Sequence, residues 1–369
     1  MTSGRERILF VELWRLGDAV AATAGLSALR QARPEAEIGV VAHSLHGEPL
    51  FRSPDADHRL PFDAFWTRGR LPRDKYLPWT IDYRELGRAA RSIRAFRPNH
   101  VLLFRGDIRE QLFFRSLGMS AITDLKGKLP TLPGIRTNRR PAGVPRWREY
   151  VFHVERWADT TVQAQPTIAD VKRGAQGQPY VLVHPGASWR YKQWSAPRLA
   201  ELLRWLQQRA TTVRVVAGPS DHLFIDELRD ACGADLVVEY PSLNDLYMLI
   251  ADAQAVVCNN SAALHIAEAL GTPCVALTGP SDPIRWGTYR SHSRTVTRAL
   301  GLPCHPCGDK RCVLPEAPCI DRIELRDVVE ALSELGIVAR PGHVAVLQAT
   351  RGHSGTAGSH DGAAVSPLR

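Results

Sequence analysis

The stretch HPGASWRYKQW, residues 184–194, ends an apolar run with Pro185 and Gly186, offers a hydroxyl at Ser188, and sets Arg190 and Lys192 among three aromatics. A second stretch, VVCNNSAALHIAEALG (256–271), passes from an apolar run through a polar turn into helical spacing. Its turn would direct the N–H groups near residues 261–264 at a ligand above the helix. A helix N-terminus has free donors and about half a positive charge, so it suits a phosphate or diphosphate. Lys192 adds a point charge and Ser188 a hydroxyl donor. Taken singly, these residues have ordinary readings too: Asn260 or Ser261 as a helix N-cap, Lys192 as a solvated cation. Two such turns at matching strand ends point to a bound diphosphate. Asp221, in AGPSD after a predicted strand, is placed to accept from ribose hydroxyls.

The elements that must position these groups alternate along the chain. Hydrophobic patterning predicts strands at 8–13, 37–42, 100–104, 180–184, 212–217, 235–239, 255–258 and 274–277. It predicts helices at 18–32, 83–96, 108–118, 196–209, 223–232, 243–253 and 262–270. Such alternation implies parallel sheets covered on both faces, with ligands beyond the carboxyl ends of the strands. Residues 126–179, rich in Pro, Gly, Arg and Gln, read as loops plus a linker. The fold class is α/β, with two doubly wound Rossmann-like domains facing a central cleft: 1–165 and 166–339. The tail 340–369 is polar and rich in Gly, Ser and Ala, and reads as disordered.

The chain of 369 residues is 44% hydrophobic and 23% charged, an ordinary globular composition long enough for two cores. No apolar run reaches the roughly 18 residues needed to span a bilayer. The N-terminus has a basic start, but its apolar run is short and carries Glu12, which argues against a signal peptide. The expected location is the cytoplasm. The net charge of +9 lies wholly in residues 1–165, where 27 Lys and Arg face 18 Asp and Glu; residues 166–369 hold 20 of each. Seven basic residues fall between Lys126 and Arg148 with no acidic one among them. The excess serves solubility or faces an anionic partner: a phosphorylated acceptor, a lipid surface or nucleic acid. No helix-turn-helix, RNP or zinc-finger pattern supports nucleic acid. Lys126, Lys128, Arg139 and Arg140 are the candidate acceptor-binding cations, and the aromatics of WTRGRLPRDKYLPW (66–79) could stack on sugar rings beside them or cover the core.

In the order of its motifs the sequence resembles glycosyltransferase family 9, the ADP-heptose:lipopolysaccharide heptosyltransferases. The resemblance rests on LGD (16–18), HPGASW…KQW (184–194), NSAALHIAEALGTPCVALTGPSDPIRWGTY (260–289), a cysteine-rich segment and a last helix, over about residues 7–336. It implies the two-domain GT-B fold, with the acceptor on the first domain and the nucleotide-sugar on the second. It also implies inverting transfer without a metal at the reacting centre. Asp18 matches the family's proposed general base, a carboxylate that takes the acceptor hydroxyl's proton as the new bond forms; by position Asp18 could instead be a helix cap. Lys192 matches the lysine on the donor phosphate. Asn260, Ser261, Ala262 and His265 align with the D-[ST]-G-x-x-H turn that holds the diphosphate. Asn260 stands where the family has Asp, and Ala262 where it has a Gly that allows close backbone approach. His265 could equally be a packed helix residue.

The resemblance therefore implies transfer of a sugar, heptose from ADP-heptose, to a hydroxyl of an anionic glycan or lipopolysaccharide-core-like acceptor. Peripheral contact with the inner membrane face would accompany such an acceptor. The departures at Asn260 and Ala262 keep open a catalytically silent nucleotide-sugar-binding protein, another nucleotide-sugar, or a protein acceptor. Cys304, Cys307, Cys312 and Cys319 form a CxxC followed by two further cysteines, a pattern for tetrahedral thiolate ligation of a structural zinc or iron. A related protein-glycosylating branch binds iron through four cysteines at longer spacing, and free thiols are the alternative here. Cys232, Cys258 and Cys274 lie in apolar contexts and read as core. The DAD at 55–57 sits in a turn-rich stretch and is rejected as a metal site; no Walker or GxGxxG pattern appears.

Overall fold

Leu9, Phe10 and Val11, and likewise Leu182, Val183, Val256 and Val257, are at most 1% exposed, so the apolar runs of the sequence form the centres of two sheets. The computed structural model describes residues 5–67, 81–126, 130–174, 177–233, 235–307, 312–314 and 318–338. The first sheet comprises β1 (Arg7–Glu12), β2 (Glu37–Ala42), β3 (His58–Pro61), β4 (His100–Leu103), β5 (Ile122–Lys126) and β6 (Arg136–Arg139). With it run α1 (Leu16–Ala32), α2 (Glu48–Phe51), α3 (Tyr83–Phe96), α4 (Ile108–Ser116) and α5 (Arg146–Ala158). The second comprises β7 (Val181–His184), β8 (Val213–Val216), β9 (Val238–Glu239), β10 (Ala255–Asn259), β11 (Cys274–Leu277) and β12 (Arg294–Val296). Its helices are α6 (Ala196–Gln207), α7 (His222–Cys232), α8 (Leu243–Asp252), α9 (Ala262–Leu270), α10 (Pro283–Trp286) and α11 (Leu325–Glu334).

Every strand pair is parallel, in the orders β3-β2-β1-β4-β5-β6 and β12-β11-β10-β7-β8-β9. Both orders reverse direction once, between β1 and β4 and between β7 and β10. A crevice opens at such a switch point, where the loops after the two strands diverge. The loops after β1 and β4 carry LGD and Arg105; those after β7 and β10 carry HPGASWRYK and NNSA. Both candidate turns of the second half therefore sit where an open α/β sheet binds ligands.

Two readings of the sequence need correction. The stretch taken as loops plus linker, 126–179, contains β6 and the 13-residue helix α5, with Tyr150, Val151 and Val154 fully buried against α1. The strand expected at 235–239 is only two residues long. The approach of α5 to α1 depends on Gly25, where a Cβ would lie 2.7 Å from Tyr150 Cβ. The tail from 340, Lys128 and residues 68–79 of the aromatic stretch lie outside the described residues. Trp66, the aromatic that opens that stretch, is buried in the first core.

Gly25→Ala should gain the helix propensity of alanine yet destabilise the protein by about 1–3 kcal/mol, because the added methyl overpacks the α1–α5 contact. A denaturant midpoint equal to or above wild type would mean that α5 docks without this clearance.

Candidate active site

Asp18 is the third residue of α1, and the helix is capped by Arg15, so its carboxylate has no capping role. Instead Oδ1 accepts from Arg105 Nη1 at 3.0 Å and from Arg146 Nε at 3.4 Å. The described residues offer Oδ2 no hydrogen bond. Burial would raise the Asp18 carboxyl, but the charges of Arg105 and Arg146 outweigh it and hold it below the ordinary carboxylate value. Arg105 is itself stacked on Trp14, its guanidinium 4.3 Å from the ring centroid. The cap reading of the sequence is thereby replaced by an ionised carboxylate clamped on one side.

Arg146, at 1% exposure, is the hub of this cluster. Its Nη1 donates to Glu149 Oε2 at 2.7 Å and its Nη2 to Tyr150 Oη at 2.8 Å. The Tyr150 hydroxyl in turn donates to Glu12 Oε2 at 2.5 Å. Burial opposes the charged guanidinium, but Tyr150, Asp18, Glu149 and Glu12 together raise its pKa further. Arg140, an expected acceptor cation, donates to Glu149 Oε2 at 2.9 Å, and burial and Arg146 lower its pKa to about 10. Lys126 and Arg139 are exposed at the ends of β5 and β6. The basic run of the sequence thus has acidic partners in space: Glu149 for Arg140 and Arg146, and Glu155 for Arg148.

The second half brings its two turns together through Asn259, which sequence reasoning missed. Its Oδ1 accepts from Trp194 N at 3.1 Å and its Nδ2 donates to Pro185 O at 2.5 Å. Asn260 stands beside it: Lys192 Nζ donates to Oδ1 at 3.5 Å, and Nδ2 donates to Trp286 O at 2.7 Å. Ser261 is the N-cap of α9 but makes no side-chain cap bond, and its buried Oγ has no partner among the described residues. Ala262 is the first residue of that helix. An orphaned hydroxyl beside free helix N–H groups and a lysine is a donor set that an anionic ligand would satisfy. Asp221 packs against Gly186, where a Cβ would lie 2.3 Å from Asp221 Oδ2, and that oxygen accepts from Gly218 N at 2.8 Å. Ser188 is exposed on the same loop, while Arg190 turns to Glu227 at 2.8 Å.

The two halves meet at the glycine of LGD. A Cβ on Gly17 would lie 2.7 Å from His265 Cδ2, so only glycine lets α9 come this close. Burial, with Lys192 adding to it, lowers His265 to about 4 against the pull of Asp18. With the imidazole neutral at pH 7, Arg105 and Arg146 are the cations beside Asp18 that hold it ionised. His265 thus has Asp18 on one side and Lys192 on the other, and Lys192 in turn donates to Asn260 just ahead of α9. Arg105, Arg146, Glu149 and Arg285 join them without having been expected.

The four cysteines of the C-terminal segment line one small cavity with Tyr191 and Pro280. Burial and then the neighbouring cysteines push Cys319 up to about 11. Among the described residues no group of three or more His, Cys, Asp or Glu stands as a metal site would require. Cys258 and Cys274 are buried 3.7 Å apart in the core, and Cys232 packs at the edge of a core, as expected. Asp57 of the rejected DAD binds Arg30 and the Ile38 amide.

Comparison with known proteins bears out the family resemblance over part of the chain. Residues 147–317 match the model of glycosyltransferase family 9 (heptosyltransferase). Lipopolysaccharide heptosyltransferase 3 of Escherichia coli is 31% identical over 124 residues, which are 31% of this chain and 36% of that protein. The match thus spans little more than a third of the curated relative. A glycosyl transferase family 9 structure from Veillonella parvula superposes with a TM-score of 0.71 at 19% identity, over 91% of this chain and 98% of that one. The Escherichia coli heptosyltransferase WaaC with ADP gives 0.68 at 16% identity, over 89% and 99%. These likenesses show the fold: the paired sheets are the GT-B arrangement.

Replacing Arg146 by Met strands buried carboxylates and should cost about 3–5 kcal/mol at neutral pH. Asp18 has a depressed pKa, so the stability its ion pairs contribute is present at neutral pH and is lost as pH falls through that pKa. The stability gap between wild type and Arg146→Met should therefore narrow from about pH 7 toward about pH 3. Urea melts showing a constant gap would detach Arg146 from Asp18.

Proposed function

We propose, from the glycosyltransferase family 9 match of residues 147–317, that the protein is an inverting glycosyltransferase. Its donor is a nucleotide-sugar, ADP-heptose, and its acceptor a hydroxyl of an anionic glycan of the lipopolysaccharide-core type. One observation carries the reading. The Asp18 carboxylate is held ionised through Oδ1, with no hydrogen bond to Oδ2 among the described residues, beside His265 of α9, the helix at whose start Lys192 and Asn260 stand.

The chemistry follows from that placement. The acceptor oxygen forms its bond to the anomeric carbon as the bond from that carbon to the diphosphate oxygen breaks, and the electron pair leaves with the diphosphate. Lys192 and the N–H groups at the start of α9 face that growing negative charge, the form of stabilisation that usually contributes most. The hydroxyl proton passes to Asp18 Oδ2. A carboxylate with a depressed pKa is a weak base, but it is ready at every working pH and takes the proton once bond formation has made the hydroxyl acidic. The basic first half suits an anionic acceptor, with Lys126 and Arg139 exposed for it. Such an acceptor would bring the protein to the inner membrane face; among the described residues no helix is long and apolar enough to cross a membrane.

The cysteine cavity is proposed to hold a structural zinc or iron. The four cysteines line one cavity and are the soft donors that these metals take, and a bound ion would draw them together from positions that do not converge on a site as they stand. Protein made without added metal should contain about one zinc or iron per chain, and chelation should lower its melting temperature more than its activity. Metal-free, fully active protein with four reactive thiols in this segment would end that assignment.

The transferase reading is tested with a panel of nucleotide-sugars, following nucleoside diphosphate release with and without acceptor. Asp18→Asn should lower turnover by about 100-fold or more while leaving ADP affinity nearly intact. Lys192→Ala should weaken ADP binding by about 1.5–3 kcal/mol. Protein that binds a nucleotide-sugar and never turns it over would instead be a silent binding protein of this fold.

A further inference from the structure

Glu149 lies one helical turn beyond Arg146 on α5, is 1% exposed, and is approached by three arginines. Arg140, Arg146 and Arg285 all donate to its Oε2, at 2.9, 2.7 and 3.0 Å. Its other oxygen, Oε1, lies 2.7 Å from Arg285 Nε, an ion pair without the geometry of a hydrogen bond. Arg140 and Arg146 come from the first half, whereas Arg285 comes from α10 of the second. Arg285 thus brings a cation of the donor-binding half to the cluster around Asp18.

The backbone that carries Arg285 is fixed by the donor turn. Asp282 Oδ1 caps α10 by accepting from Ile284 N and Arg285 N, and Asn260 Nδ2 holds the Trp286 carbonyl at 2.7 Å. Asn260 also accepts from Lys192. A continuous set of contacts therefore runs from Lys192 through Asn260, Trp286, Arg285, Glu149 and Arg146 to Asp18. The bond to Trp286 needs an amide donor at position 260. An ionised Asp there would set an acceptor against the carbonyl, which gives the asparagine a physical purpose.

We propose that Arg285 is a positioning residue for the base: by satisfying Glu149 from the donor side it leaves Arg146 shared with Asp18. The bond from Arg146 Nε to Asp18 is already long, 3.4 Å, against 2.7 Å from Nη1 to Glu149. With Arg285 gone, the buried Glu149 carboxylate loses a cation at both oxygens, and Arg146, already 2.7 Å from Oε2, is drawn further toward it. Asp18 then keeps Arg105 and loses most of Arg146. The proposal rests on the transferase reading for its purpose, but not for its test.

The test reads Asp18 directly. Full-length protein labelled with carboxyl-13C aspartate is titrated, the Asp18 signal being identified by its loss in Asp18→Asn. The groups facing Asp18 are Arg105 from the loop after β4, Arg146 and Tyr150 from α5, Glu12 from β1 and His265 from α9. All are unchanged in the Arg285 variants. In Arg285→Gln the Asp18 midpoint should move upward by about half a pH unit or more, because cationic support is withdrawn. Arg285→Lys, which restores a charge, should return most of that shift. ADP affinity by calorimetry should stay within about two-fold, and turnover should fall about ten-fold or more with little change in donor KM. An unmoved Asp18 midpoint in folded Arg285→Gln overturns the proposal, and an unmoved midpoint with a large loss of ADP affinity makes Arg285 a donor ligand. If Arg285→Gln does not fold, an Arg285→Lys midpoint equal to wild type supports the proposal only when Arg285→Met is shifted upward; otherwise it fails. A wild type that transfers no sugar would refute the transferase reading and leave the titration result standing.

Discussion

A guanidinium taken wholly out of water must have its donors met and its charge balanced, and the first half of this protein is arranged to do so for Arg146. The partners come from three places: Glu12 at the carboxyl end of β1, Asp18 in the first turn of α1, and Glu149 and Tyr150 on the arginine's own helix. They can meet only if α5 lies flush on α1, which Gly25 permits. The same contact therefore closes the core and fixes the orientation of the carboxylate that faces the cleft. Stability and the ionisation of Asp18 share one set of atoms here, so a change made for either is felt by both.

The alternation of strands and helices was legible because parallel strands buried on both faces are near-continuous apolar runs. Helix 83–96 and strands 37–42 and 274–277 fell on their observed bounds for that reason. Helix α5 was hidden by its setting. Proline, glycine and arginine crowd the residues before it, and its charged positions looked like surface. Tyr150, Val151 and Val154 nevertheless have helical spacing, with Trp147 and Trp157 extending the stripe. Periodicity alone would have found the helix, but the burial of its Arg146 and Glu149 is a tertiary fact.

The site divides in the same way. Lys192 and Asn260 stood out in polar turns at strand ends, and Asp18 and His265 through the motifs that carry the family resemblance. Arg105, Asn259 and Arg285 did not, since what they do depends on partners far away in sequence: 87 residues from Arg105 to Asp18, 74 from Asn259 to Pro185 and 136 from Arg285 to Glu149. Asp18 was open to a cap reading on position alone, and two arginines at Oδ1 decide against it. The departure at position 260 looked like a loss from a donor turn. In the folded chain it supplies the amide that ties that turn to α10.

The contact between Gly17 and His265 has a mechanical consequence. On the first half's side Gly17 itself offers only backbone to the imidazole, whereas Val20, one turn further along α1, is packed into the second half's core. Interdigitated side chains must change rotamer or lose dispersion contacts one by one before two surfaces part. A smooth strip of main chain against the edge of a ring separates and re-forms without that friction. The missing methyl group thus gives a seam that is close and smooth at Gly17 and interlocked one turn along, at Val20.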